Sequence, residues 1–445
     1  MANQKSLGKR VWFNLILFGF MGQVAWAVEN IYFNTYLFNY IGGDTGDISL
    51  MVSLSAVTAV LTTFIMGTLS DKLNKRKLFI SAGYIAWGVT VAVFAFISRE
   101  NIGSLFGISG AAEVLAATVS VVIIMDCIMT FMGSTSNDAA FNAWITDVTD
   151  TGNRGTAESV LSLLPLFAMA IVTVGFGAGV SAFGYPLCFL ILGAGVTVCG
   201  ILGLFTVKDS RSGVKSDSNY FKDIIYGFRP SVVKSNKSLY VALAAIGIFN
   251  CAVQVFMPYI FIYVQHFIGL DFNNIGALLT PGTMIAAAVG VIGAVAAVIL
   301  FGKGVDRFGK SRFVFVSVVL FAAGLVLMFF ARKISLFLLS LIVMLFGYAM
   351  LMIILNASVR DFTPEDKVGL FQGVRMIFAV LIPMVIGPSL GSYITGRFSY
   401  LHEGAMYIND YGESVCVPVP EIFLTAAAVS VLIIVPAVYL RKKLK

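Results

Sequence analysis

Charge is what this sequence lacks most. Asp, Glu, Lys and Arg make up 12% of its 445 residues, against about 25% in an average soluble protein. Histidine occurs only as His266 and His402, each isolated, so neither supports a metal or catalytic site. Of the five cysteines, Cys127, Cys188, Cys199 and Cys251 lie in apolar stretches without ligand spacing, and Cys416 stands alone; neither a disulfide framework nor a zinc site is expected. There is no long polar tract, which excludes low-complexity disorder. A nucleophile–base constellation and a phosphate loop are also missing, so no enzyme, no ATP use and no cofactor is expected.

Apolar sequence fills the gap. Hydrophobic residues make up 58% of the chain and mean hydropathy is +0.91. No water-soluble domain hides that much apolar surface, so a cytosolic enzyme or nucleic-acid binder is ruled out. A helix crosses a bilayer with ~20 apolar residues. Runs of that length fall near 12–40, 49–70, 78–98, 115–143, 158–181 and 186–207, and again near 239–267, 275–301, 313–331, 335–356, 369–394 and 422–440. The expected fold is an all-α integral membrane protein of twelve transmembrane helices. Its parts are an N-terminal six-helix bundle (1–207), a cytoplasmic linker (208–238) and a C-terminal six-helix bundle (239–445). Within the linker, Tyr220 to Phe228 reads as an interfacial amphipathic helix or a plain tether. The first span is not a cleaved leader, because apolar sequence continues to Ile41, beyond the length of a signal core.

The cationic surplus sets the orientation. Net charge is +7. With the N-terminus cytoplasmic, 25 Lys/Arg fall on the cytoplasmic side, four (Arg99, Arg332, Lys333, Arg397) on the other, and Arg375 within a span. Such a bias places both termini in the cytoplasm of a plasma-membrane protein.

The halves echo each other. An offset of 227 residues places Gln23 on Asn250, Tyr32 on Tyr259, Tyr36 on Tyr263 and Ile41-Gly42 on Ile268-Gly269. The loops ITDVTDTGNRG and VRDFTPEDKVG align Asp147 with Asp361 and Thr149 with Thr363. Internal duplication of this kind marks transporters, whose related bundles rock about a midplane site.

Ionisable groups within a bilayer are functional candidates. Here they are Glu29, Asp126, Asp138 and Arg375. A carboxyl group removed from water takes up a proton more readily, the property a proton-coupled carrier requires; packing pairs are the alternative. At 100° per residue, Asp126 shares a side with Asn137, while Asn142 lies near Asp138. On the first span Gln23, Trp26, Asn30 and Asn34 form one face. Amides beside an indole suit a sugar, whose hydroxyls pair with amides and whose ring face packs on Trp; interhelical hydrogen bonding is the competing use. On the seventh span Asn250 and Gln254 share a side, Tyr259 follows, and Pro258 kinks the helix. Arg375 either pairs with an acid, binds solute or snorkels to the surface.

Gly67-Thr-Leu-Ser-Asp71-Lys72-Leu-Asn-Lys75-Arg76 resembles the G-x-x-x-D-R/K-x-x-R/K-R/K loop motif of the major facilitator superfamily. Gly302-Lys-Gly-Val-Asp306-Arg307-Phe-Gly309-Lys310 repeats it. The resemblance covers the whole chain and implies a twelve-helix fold of two pseudo-symmetric bundles. Gly22-Gln23-Val-Ala-Trp26-Ala-Val-Glu29-Asn30 is similar to the first-helix G-x-Q-x-x-W-A of sucrose-type transporters. Within the related glycoside–pentoside–hexuronide:cation symporters, Asp138 falls where a helix 4 acid serves both sugar and cation. The paired helix 2 acids of that family's sodium site are replaced here near Ala59 and Thr63, so H+ is expected over Na+. With the amide faces and the repeat, substrate contacts are expected from Gln23, Trp26, Asn30, Asn34, Asn137, Asn142, Asn250, Gln254 and Tyr259. Coupling falls to Asp138, Asp126, Glu29 and Arg375. Gating falls to Gly67, Asp71, Arg76, Asp147 and Arg154 in one half and Asp306, Arg307, Arg360 and Asp361 in the other, as loop latches. The implied protein is a monomeric carrier of a small polar solute, a sugar or glycoside, in a lipid bilayer. A proton-driven exporter of amphipathic compounds and a transport-dead sensor are the rivals.

Overall fold

The computed structural model describes residues 7–150, 153–209, 226–270, 310–364 and 368–441. Ten helices in these residues are long and apolar enough to cross a membrane. They are α1 (Lys9–Ile41), α2 (Thr45–Leu73), α3 (Arg76–Phe96), α4 (Ala111–Val148), α5 (Arg154–Thr206), α6 (Lys237–Phe267), α7 (Phe313–Phe330), α8 (Ile334–Phe362), α9 (Phe371–Leu401) and α10 (Glu421–Leu440). α5 is two spans in one: Gly184 takes φ 77°, ψ 167°, a conformation reserved for glycine, two residues before Pro186. The spans expected at 158–181 and 186–207 therefore meet at a single broken residue. The run at 275–301, Asp306, Arg307 and most of the linker lie outside the described residues.

The chain divides into two compact units, residues 1–43 with 57–220, and residues 44–56 with 221–445. α2 thus runs from one unit into the other. Its first turns are held within the second unit by hydroxyls: Thr45 Oγ1 lies 3.3 Å from Ser392 Oγ, and Ser49 donates to Ser389 at 3.2 Å.

Small residues set the closest helix contacts, as they do where lipid offers no hydrophobic drive. In the first unit a Cβ on Gly88 would lie 2.4 Å from the Gly193 carbonyl, and one on Gly193 2.5 Å from that of Gly88. In the second unit Gly324 and Gly347 hold α7 and α8 together in the same way. The duplicated register is visible in local geometry. Gly42 and Gly269 end α1 and α6 with φ 82° and 80°. Thr149 and Thr363 each bond the carbonyl four residues back, at 2.7 and 2.6 Å.

Wide π-helical turns interrupt α1 (Glu29–Phe33, Tyr36–Ile41), α4 (Ser134–Phe141), α5 (Val172–Phe176), α6 (Tyr263–Phe267) and α9 (Ile377–Leu381). Such turns are rare and gather at functional sites.

Candidate functional site: the intramembrane acids and their neighbours

In the first unit, α4 presents a hydroxyl to an acid of α1, one helical turn from an acid of its own. Asp126 and Thr130 are four residues apart on α4 and so share a face. Thr130 Oγ1 donates to Glu29 Oε1 at 3.1 Å, so that face meets α1 at the start of its first π turn. Asp126 is only 2% exposed, and Glu29 is half-buried. Cys127, the next residue after Asp126, lies within electrostatic reach of both carboxyl groups. Asp138 is separate, twelve residues on and ~18 Å further along α4. It is half-buried, and Ser134 Oγ donates to its Oδ2 at 2.9 Å.

An aromatic wall stands beside these groups. The Trp26 and Trp87 rings lie 4.9 Å apart, and Tyr84 packs edge-on against Trp87 at 5.5 Å. Gly133 makes room for both indoles, since a Cβ there would come within 2.8 Å of Trp87 and 2.9 Å of Trp26. The Trp87 indole N–H is buried with no hydrogen-bond partner among the described residues.

The amide face of α1 divides. Gln23 and Trp26 are half-buried and Asn30 is exposed, but Asn34 is 2% exposed. Asn30 Nδ2 donates to the Trp26 carbonyl at 2.7 Å and Asn34 Nδ2 to that of Asn30 at 2.9 Å. The wide turn at 29–33 breaks the 100° register, turning Asn34 inward and loosening carbonyls that these amides take up. On α4, Asn137 is buried and donates to Tyr84 Oη at 2.7 Å, which donates to the Phe18 carbonyl at 2.7 Å. Asn142 is exposed and bonds the Asp138 carbonyl at 3.1 Å.

The second unit places its candidates differently. Asn250 Nδ2 donates to the Ala379 carbonyl inside the π turn of α9, at 2.7 Å. Tyr259 is fully buried and donates to the Pro388 carbonyl at 2.7 Å. Gln254 is half-buried, with no hydrogen bond among the described residues. Arg375 Nη2 donates to Asn356 Oδ1 at 2.7 Å.

The loop charges form one closed relay. Arg76 is 7% exposed; it pairs with Asp71, with Asp147 Oδ2 at 3.1 Å, and with Ser70 Oγ at 2.6 Å. Arg154 caps the end of α4 through Thr149 Oγ1 at 3.2 Å. A Cβ on Gly67 would meet nothing within 4 Å. Arg360 and Asp361 are exposed at the end of α8.

Sequence reasoning missed several residues. Thr130, Tyr84 and Trp87 were not among its candidates. Arg99 counted as an outside charge, yet it is buried and donates to the Ile41 carbonyl at 2.7 Å, capping the negative end of α1. Its place one loop beyond the duplicated Ile-Gly was the available signal. His266 and His402 pack a hairpin rather than stand alone. Strands β1 (Met406–Ile408) and β2 (Ser414–Cys416) pair with Tyr407 opposite Val415, and Tyr407 lies 4.1 Å from His266. His402 Nε2 lies 2.8 Å from Glu421 Oε1. Burial, then the nearby Asp410, pushes the Tyr407 phenol above its ordinary range.

Comparisons with known proteins follow this architecture. The family model described as Major Facilitator Superfamily matches residues 12–298 and 282–445. "Multidrug resistance protein 2" of Bacillus subtilis (strain 168) is 20% identical over 366 residues, 80% of this chain and 81% of that protein. Among solved structures, the nucleoside transporter NupG superposes with a TM-score of 0.70 at 13% identity, over 97% of this chain and 99% of that one. A bacterial homolog to the human lysosomal transporter Spinster superposes with a TM-score of 0.67 at 14% identity, over 99% and 98%.

Proposed function

The chain belongs to the major facilitator superfamily, a family of membrane transporters, and from that premise we propose that it takes up a sugar or glycoside by proton symport. It works as a monomer in the plasma membrane with both termini cytoplasmic. The observation that carries the proposal is the Thr130–Glu29 bond, which sets Glu29 against α4 one helical turn from Asp126. Two neighbouring carboxyl groups in apolar surroundings do not both hold charge cheaply. One transferable proton removes the conflict. Trp26 with the amide of Gln23 offers a flat apolar surface and hydrogen bonds, the pairing a pyranoside or furanoside needs. Proton and solute then each favour an occluded state that neither favours alone. Asp138 with Ser134 is the second proton-carrying group.

The test is solute-driven proton movement in proteoliposomes, with a panel of monosaccharides, disaccharides and nucleosides. One solute should alkalinise the outer medium, and Glu29→Gln or Asp126→Asn should abolish the signal; Asp138→Asn reports the second acid. Silence toward every solute, with or without sodium, would sink the reading. A second reading, proton-driven export of amphipathic compounds, draws on the relative named for multidrug resistance. It predicts that a fluorescent amphipathic cation is moved in the same vesicles and that no sugar is.

A further inference from the structure

We propose a second binding site in this protein, an anion site in the second unit that takes a phosphate ester. It lies where the start of α6, the end of α8 and the start of α9 meet. A cavity of about 130 Å³ opens there, about four water volumes. Arg360, Arg375, Gln372 and Thr363 supply its polar wall, and Leu243 and Phe371 part of its apolar one.

Two guanidinium groups on one small cavity repel each other. Nature normally places a carboxylate between such a pair. Among the described residues no carboxylate ion-pairs with either. Arg375 spends one N–H on Asn356. Its other donors, and all those of the Arg360 side chain, have no partner among the described residues. Arginine carries five N–H groups in a planar fork that matches phosphate oxygens two at a time. The amide of Gln372 adds a neutral donor. A phosphate ester fills these requirements: its oxygens meet the guanidinium groups, and its carbon portion lies along Leu243 and Phe371. A sugar without charge does not, so this site is independent of the solute site proposed above.

The same chemistry comes from two sources, the headgroup of an anionic phospholipid and a soluble phosphate ester. Basic pockets between helices at the membrane surface are known to hold lipid headgroups. The experiment separates the two. Full-length protein is placed in nanodiscs of phosphatidylcholine, with phosphatidylglycerol added in one arm and glycerol 3-phosphate in the other. Thermal stability and retained adducts by native mass spectrometry are read in each. At least one probe should bind the wild type. Arg360→Gln and Arg375→Gln should each weaken that binding by about tenfold or more, as expected for lost charge-assisted hydrogen bonds. Arg375→Lys, which keeps charge and loses the fork, should fall between. Binding of phosphatidylglycerol alone assigns the site to lipid; binding of glycerol 3-phosphate assigns it to a soluble ester. If neither probe binds, or both Gln variants bind as the wild type does, the site does not exist. Should Arg375→Gln fail to fold, Arg360→Gln decides alone, because Arg360 is exposed.

Discussion

At residue 22 a methyl group has nowhere to go. A Cβ on Gly22 would lie 2.2 Å from Asn137 Nδ2 and 2.8 Å from Tyr84 Oη, the two atoms that carry the chain from α4 through α3 to the Phe18 carbonyl. Gly22→Ala must push Asn137 off Tyr84 or force α1 outward. Overpacking of this kind costs ~1–3 kcal/mol, while alanine recovers about 1 kcal/mol of helix propensity. The expected net loss is up to ~2 kcal/mol, seen as a lower midpoint in thermal unfolding followed by tryptophan fluorescence. An unchanged midpoint would mean that the α1–α3–α4 contact is looser than described. The same arithmetic explains why a glycine heads the Gly22-Gln23-x-x-Trp26 segment. Gly22 lets the helices close so that Gln23 and Trp26 are held at a fixed place beside the acids.

At the level of elements, the π turns decide where polar side chains end up. Asn250 illustrates this. The repeat with Gln23 marks it as a solute contact, yet its amide is spent on the Ala379 carbonyl in the wide turn of α9. Replacing Asn250 by Ala strands that carbonyl, at a cost of ~1–2 kcal/mol. Purified Asn250→Ala should therefore melt at a lower temperature while the KM for solute stays within about twofold, a ratio worth only ~0.4 kcal/mol. A large rise in KM with an unchanged melting midpoint would return Asn250 to the solute site. This is also where the sequence ran out. Helix positions were legible because each span is a continuous apolar run, and the duplicated Ile-Gly ends of α1 and α6 were legible because glycine alone takes a positive φ cheaply there. The wide turns were not, since a switch from i+4 to i+5 bonding is set by packing against neighbours and leaves no periodic trace. Asn34, placed with Gln23 by a uniform 100° step, is buried for that reason. Glu29 and Asp126 were each visible as intramembrane acids, but their placement depends on which face of α4 turns to α1, which Thr130 reports.

For the whole molecule, the charge asymmetry and the described elements make a joint claim about topology. The hairpin of β1 and β2 belongs to the cation-poor side, and Lys208, just beyond α5, to the cation-rich side. Ser414 and Lys208 are both exposed, so each tolerates a reporter. In a background lacking the native cysteines, Ser414→Cys should react with a membrane-impermeant maleimide on intact cells, and Lys208→Cys only after permeabilisation. The reverse pattern would invert the molecule. Inversion would not by itself reverse transport, because a symporter carries solute and proton together down the proton gradient whichever way it is inserted. Orientation instead decides which helix ends meet the cytoplasm, and therefore which loops close over the acids from the inside; loop lysines and arginines far from those acids set it.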